Sequence, residues 1–252
     1  MNERIPVGLL VTCLVDFFRP QIGFAAVKLL ELAGCDAQVP EQSCCGQPAY
    51  NAGDAADAAA LAKRTIATFE SFQYVVVPSG SCAGMLRVHY PRLLKDDPAW
   101  AMRAEAFAAK THELFSFLVN ICGLKTVEAA CKGDAVYHDS CSSLREMGVA
   151  AEPRLLLRTV RGLNVRDLSE KETCCGFGGF FAVKYPEISA RMADDKIADA
   201  KANGASMMLA GDLGCLLHLA GRLSRRGEEM EIRHAAEVLA DLHDSPSIEG
   251  AE

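Results

Sequence analysis

A Cys-Cys-Gly triplet occurs twice in this chain, at Cys44-Cys45-Gly46 and at Cys174-Cys175-Gly176. Adjacent cysteines are a poor pair for a disulfide with each other, because their Cβ positions rarely meet the geometry the bond requires. Each triplet also lies between two further cysteines. The pattern is C-x30-CC-x36-C from Cys13 to Cys82, then C-x32-CC-x39-C from Cys141 to Cys215. The second set follows the first at offsets of 128, 130 and 133 residues. A pattern repeated at such matched offsets marks two homologous halves. We read them as residues 1–125 and 132–244, joined around "GLKTVEAACK".

The segments between the cysteines alternate in type. "VGLLVTC" is an apolar run bounded by Pro6 and reads as a buried strand. "FAAVKLLELAG" reads as a helix stopped by Gly34, "AQVP" as a short strand, and residues 55–72 as a helix capped by Asp54. "YVVVPSGSC" reads as strand then turn, and residues 99–122 as one long helix. The second half repeats the order. "DAVYHDSC" is a strand ending in cysteine, "PRLLLRTV" a helix and "NVRDLS" a short strand. Residues 186–204 are a helix, "SMMLAGDLGC" a strand ending in cysteine, and "LLHLAGRLSRR" a helix. The expected fold is α/β, with two pseudo-repeated halves, each a small parallel sheet flanked by helices. The cysteines then follow the carboxyl ends of strands, which share one rim of such a sheet, the usual place for ligands. Helices starting there direct backbone N–H groups at an anionic centre.

Composition narrows the setting. Half of the 252 residues are hydrophobic, enough for a full core, and the net charge is -7. That balance argues against a nucleic-acid partner, which favours a basic face. The mixed-charge stretch "RLSRRGEEMEIR" reads as solvated surface. The N-terminal apolar run is interrupted by Asp16 and Arg19 and reads as a strand, not a signal peptide. No apolar stretch reaches the roughly 18 residues of a membrane span, so the chain is not expected to cross one. Eleven cysteines, an odd number, fit a cytoplasmic protein that uses them for metal or redox chemistry, not a disulfide framework.

Four thiolates per half, Cys13, Cys44, Cys45 and Cys82, then Cys141, Cys174, Cys175 and Cys215, suit zinc or an iron–sulfur cluster. Structural zinc sites usually show local C-x2-C knuckles, which these eight cysteines lack. Adjacent cysteines bind different iron atoms of a cluster more easily than one tetrahedral ion. Gly46 and Gly176 suit close approach of backbone to bulky sulfide. An iron–sulfur cluster is therefore favoured over zinc and over redox-active thiols without metal. Cys35, Cys122 and Cys131 have no repeat partners and read as having no ligand role.

The paired motifs resemble the cysteine-rich domains of the heterodisulfide reductase B subunit and of the glycolate oxidase iron–sulfur subunit. They are most similar to the lactate utilization protein A family, whose members carry two such domains and no ferredoxin domains. "YHDSCSSLREMG", "CCGFGGFF" and "DLGCLLHL" extend the resemblance beyond the cysteines, over about residues 5–240. It implies a part in oxidising L-lactate to pyruvate with two partners, a ferredoxin-type iron–sulfur protein and a further lactate-utilization subunit. It also implies one cluster per half at the Cys-Cys-Gly motifs, of [4Fe–4S] type. In the heterodisulfide reductase relatives each motif ends in Cys-x-x-Cys. Here the endings are Cys82-Ala-Gly-Met85 and Cys215-Leu-Leu-His218, so the fifth thiolate is missing from both.

Other residues near the motifs admit two readings each. His218 either replaces a thiolate, which raises a reduction potential, or covers the site from a helix face. Met85 is by default a packing methionine. His138 and Asp139, just before Cys141, are candidates for a proton relay or for contact with a substrate carboxylate; otherwise they are a satisfied histidine and a turn-stabilising aspartate. Arg145 is a candidate for binding cluster sulfide or a 2-hydroxy acid carboxylate, or an ordinary surface arginine. No ferredoxin-type C-x2-C-x2-C run and no convincing dinucleotide fingerprint is present. The sequence thus points to an oxidoreductase subunit that works with partners. The alternatives are a thiol–disulfide reductase subunit and a zinc-bearing scaffold.

Overall fold

The computed structural model describes residues 4–249. Two four-stranded sheets form. The first contains β1 (Ile5–Leu9), β2 (Cys35–Gln38), β3 (Tyr74–Val77) and β4 (Thr111–Glu113), in the order β2-β1-β3-β4. The second contains β5 (Ala130–His138), β6 (Arg161–Asp167), β7 (Met207–Ala210) and β8 (Glu231–His234), in the order β6-β5-β7-β8. Every pairing in both sheets is parallel. The two halves therefore share one topology, as expected.

This order has a consequence for ligands. From β1 the chain winds one way to β2, then returns past β1 to β3 and β4. The direction reverses between β1 and β3, and between β5 and β7 in the second half. A crevice opens at the carboxyl ends of strands at such a switch point. Cys13 and Cys141 open the helices that follow β1 and β5, and Cys82 and Cys215 lie in the helices that follow β3 and β7.

The repeat extends to the helices. In the helix Ala55–Phe69 the buried positions are 58, 62, 65, 66 and 69; in Pro186–Ala202 they are 189, 193, 196, 197 and 200. The two sets match at an offset of 131. Contacts between the halves come in reciprocal pairs. The helix Gly80–Gly84 packs on Cys141–Arg145, and its counterpart Leu213–Arg226 packs on Cys13–Phe18. The helix Gln21–Leu32 packs on Ala235–Leu239, and Ala151–Leu157 packs on Leu114–Ser116. The arrangement is a pseudo-two-fold dimer within one chain. Its core is continuous: Val7, Leu9 and Val76 of the first sheet belong to the same buried cluster as Ala135, Tyr137 and Leu209 of the second.

Two expectations fail locally. Residues 99–122 are not one helix. The helix Ala101–Ala109 ends, β4 pairs with β3, and helical structure resumes at Leu114. Lys110 explains the break. Its ammonium donates to the carbonyls of Phe69, Glu70 and Phe72, pinning the chain against the loop before β3. The stretch "RLSRRGEEMEIR" is not all solvated surface. Its last residues enter β8, where Ile232 and Arg233 are buried.

Candidate metal centres

Each cysteine-bearing helix begins at a capped turn. Thr12 caps the Cys13 helix and accepts from the N–H of Val15 at 3.4 Å. Ser140, its counterpart, caps the Cys141 helix and accepts from the N–H of Ser143 at 3.3 Å. Ser79 caps the helix of Cys82, and Asp212 caps that of Cys215. Short polar residues suit these positions because their side chains satisfy helix N–H groups that have no partner within the helix.

The Cys-Cys-Gly triplets complete each site. Gly46 and Gly176 have φ of 81° and 90°, in the left-handed region where a side chain is strained. A Cβ on Gly176 would also lie 2.6 Å from the Ser189 carbonyl. These turns bring both cysteines of each pair to the rim. Cys13 Sγ lies 3.6 Å from Cys44 Sγ, and Cys45 Sγ 3.3 Å from Cys82 Sγ. In the second half Cys174 contacts Cys141 and Cys175, and Cys175 contacts Cys215. The N–H groups of Gly176 and Phe177 donate to Cys174 Sγ at 3.3 Å and to Cys175 Sγ at 3.5 Å. All eight predicted ligands thus gather into two groups of four.

The electrostatics repeat as well. Hydrogen bonds from Cys13 and then Cys45 hold the Cys44 thiol well below the usual thiol range. Those from Cys141 and then Cys175 do the same for Cys174. The donors are correspondingly pushed up, Cys13 and Cys141 chiefly by donating to the shared thiolate, and Cys45 and Cys175 by donation and burial. Each half therefore concentrates negative charge on the first cysteine of its adjacent pair. Such crowded, partly ionised thiols are the donor set of a soft cation or cluster. Adjacent cysteines at a glycine turn, with backbone N–H groups on the sulfurs, fit an iron–sulfur cluster. Cys45, Cys82, Cys175 and Cys215 form the buried floor of the sites, and Cys13, Cys44, Cys141 and Cys174 the half-buried edge. A cavity of about 130 Å³ adjoins the first centre, closed on its far side by Phe177, Gly179 and Asp212 of the other half.

The other candidate residues are less uniform. Asp139 is buried, and both its oxygens accept from Arg154, at 2.7 and 2.6 Å. Arg145 donates to the Glu172 carbonyl at 2.9 Å and lies near enough to Cys141 to favour its thiolate. His218 Nε2 lies 3.1 Å from Ser189 Oγ, which itself donates to the Gly176 carbonyl. His218 thus braces the glycine turn from behind. Met85 is fully buried in the first half's core. His138 is fully buried, with a ring nitrogen, Cys175 Sγ and Cys215 Sγ all within 4.8 Å of one another.

Two features escaped the reading of the sequence. Lys196, buried on the helix behind the second centre, is close enough to Cys174 and Cys175 for their charge to act on it. Its counterpart at the offset of 131 is Thr65. The signal was available as a lysine on a helix stripe that otherwise carries only small or apolar residues. Cys35 and Cys122 lie 3.6 Å apart, away from both centres.

Fold and sites together define a duplicated α/β protein with a cysteine-rich centre in each half. A model of the "Cysteine-rich domain" family matches the chain twice, at residues 7–87 and 135–220. The lactate utilization protein A of Bacillus licheniformis is 47% identical over 234 residues, covering 92% of this chain and 98% of that protein. Those of Bacillus velezensis and Bacillus subtilis are 48% and 47% identical with the same coverage. The chain belongs to the lactate utilization protein A family, with two cysteine-rich CCG domains. Among solved structures, a hypothetical protein from Helicobacter pylori shares the fold, with a TM-score of 0.67 at 10% identity. The match covers 97% of this chain, which spans half the length of that one.

Proposed function

We propose that this chain is the iron–sulfur subunit of a multi-protein system that oxidises L-lactate to pyruvate in the cytoplasm. Clusters held in its two centres would supply electron transfer towards a partner with ferredoxin-type clusters, and a further subunit completes the system. The observation that carries this reading is the pair of matched four-thiol groups at the switch points of two sheets. The printed name of the relatives supports lactate as the substrate of the system. Among the described residues no helix is long and apolar enough to cross a membrane.

A cluster held in each half supplies one-electron transfer. The chain's own residues do the rest. Cys13, Cys44, Cys45 and Cys82 would hold the first group, and Cys141, Cys174, Cys175 and Cys215 the second. Gly46 and Gly176 let the backbone approach. The N–H groups of Gly176 and Phe177 stabilise negative charge on sulfur, as charge-assisted hydrogen bonds do. The half-buried cysteines keep one edge of each site near the surface, where a redox partner docks. Arg145, which lies near Cys141, would bind a 2-hydroxy acid carboxylate at the second centre. Arg154 holds Asp139 in place.

The test is anaerobic reconstitution of the full chain with iron and sulfide. The expected product is brown, and Cys44→Ser and Cys174→Ser each lose roughly half of its iron, one centre apiece. A colourless protein with stoichiometric zinc points to the scaffold reading. Unimpaired growth on L-lactate after deletion of the gene removes the physiological part.

A further inference from the structure

The two centres are not equal, and the difference lies beneath the thiols. His138 is the last residue of β5, three residues before Cys141. At the same place before Cys13 the first half has Leu10. Both residues are buried, Leu10 at 1% exposure and His138 at 0%. Leucine at that position packs into the core. The imidazole instead brings two polar nitrogens, and neither has a hydrogen-bond partner among the described residues. A buried, unpaired polar group is destabilising, so an unused histidine is a poor replacement for leucine. A ring nitrogen of His138 lies within 4.8 Å of both Cys175 Sγ and Cys215 Sγ. His218, the other histidine of this half near the cysteines, has its Nε2 turned to Ser189.

We infer that His138 is a nitrogen ligand of the second centre, which is therefore a mixed sulfur and nitrogen site, whereas the first is bound by thiolates alone. The inference rests on the proposed function to the extent that the second half holds iron. It changes the role of His138 from a proton relay at the rim to a ligand on the floor of the site. His138 joins the four thiolates as a neutral donor and adds no negative charge to the centre. Buried Lys196, where the first half has Thr65, sets a positive charge behind the second centre and favours electrons there.

The experiment uses the full chain with 15N-labelled histidine, reconstituted anaerobically and reduced, and pulsed electron paramagnetic resonance reads nitrogen hyperfine coupling. Wild type is expected to show a 15N coupling. His138→Leu, which installs the first half's own residue, and His138→Gln are expected to lose it while retaining the first centre's iron. His218→Gln is expected to keep it. A coupling that survives both His138 variants, or that disappears with His218→Gln alone, overturns the assignment. Iron and sulfide in the second half of the wild type without any nitrogen coupling overturns it too, and leaves the functional reading intact. A second half that takes up no iron at all overturns both.

Discussion

Ser79 and Asp212 are the same position in the two halves, and they touch. Ser79 Oγ donates to Asp212 Oδ2 at 3.0 Å, and the Ser81 N–H donates to the same oxygen at 3.0 Å. The other oxygen, Oδ1, accepts from the Gly214 N–H at 3.2 Å. One buried carboxylate thus holds the start of both helices that carry Cys82 and Cys215. Asp212→Ala removes a helix cap and leaves Ser79 without its buried acceptor. We expect a loss of about 3 kcal/mol in urea unfolding of the metal-free protein. Ser79→Ala removes one donor and a weaker cap, and is expected to cost about 1 kcal/mol. Equal costs would show that the carboxylate does not serve both helices.

The two glycine turns differ in how much room they leave. At Gly176 an added Cβ meets the Ser189 carbonyl at 2.6 Å, whereas at Gly46 the nearest atom is the Leu61 Cβ at 3.2 Å. Both positions also carry the strain of positive φ. Gly176→Ala is expected to destabilise the protein by more than about 2 kcal/mol, and Gly46→Ala by about 1 kcal/mol. Iron content measured on the same samples should fall mainly in the second half for Gly176→Ala. A Gly46 variant that loses more iron than the Gly176 variant contradicts this order.

Glu113 and His234 cap the helices after β4 and β8, and their titrations oppose each other. Burial holds His234 at about 4, below its usual 6.5. Between pH 6.5 and 4 the unfolded state binds the extra proton, so stability is full above that window and falls as pH drops through it. Burial pushes Glu113 up to about 8, above its usual 4.5. There the folded state binds the extra proton, so stability is full below pH 4.5 and falls as pH rises towards 8. Burial also lowers His112 and His138, so urea unfolding across pH 4–8 should show His234→Asn reducing the acid-side loss and Glu113→Gln reducing the alkaline-side loss. A variant whose pH profile parallels wild type refutes the assignment for that residue.

Arg154 is the only side chain that hydrogen-bonds to the carboxylate of buried Asp139 among the described residues, and it also donates to Asp167 at 2.6 Å. Arg154→Ala leaves an unpaired carboxylate next to His138 in the chain. The expected cost is about 3–5 kcal/mol. Arg154→Lys keeps the charge but loses the two-pronged geometry, and should cost less. Asp139→Asn in the Arg154→Ala background should recover part of the loss, because a neutral amide is cheaper to bury. Thermal unfolding of the three proteins decides it.

The cysteine framework was legible because metal chemistry restricts the residue type and parallel α/β winding restricts the place. Eight cysteines at strand ends leave little freedom. β4 was not legible. Thr111-His112-Glu113 has no strand pattern of its own, and the break in the helix depends on three carbonyls that Lys110 finds some 40 residues earlier in the chain. β8 was hidden by charge, since Arg233 is buried only because it reaches Glu231 and the Ser245 carbonyl. The proximity of His138 to Cys175 and Cys215 depends on how β5 and β7 sit side by side. Even so, Leu10 against His138 is a difference that the sequence displays once the halves are laid over each other.

The contact between Ser79 and Asp212 also bears on how such a chain arises. An assembly of two identical subunits about a two-fold axis must present the same residue twice wherever an axis-related pair meets. Two aspartates there would set like charges against each other in a buried place, and two serines would leave no carboxylate to gather three donors. Two copies that are free to differ let one carry the hydroxyl while the other carries the acid. The same freedom lets Leu10 and His138, or Thr65 and Lys196, diverge. A chain that carries both copies can thus hold a first centre and a second where identical subunits would hold two that are interchangeable.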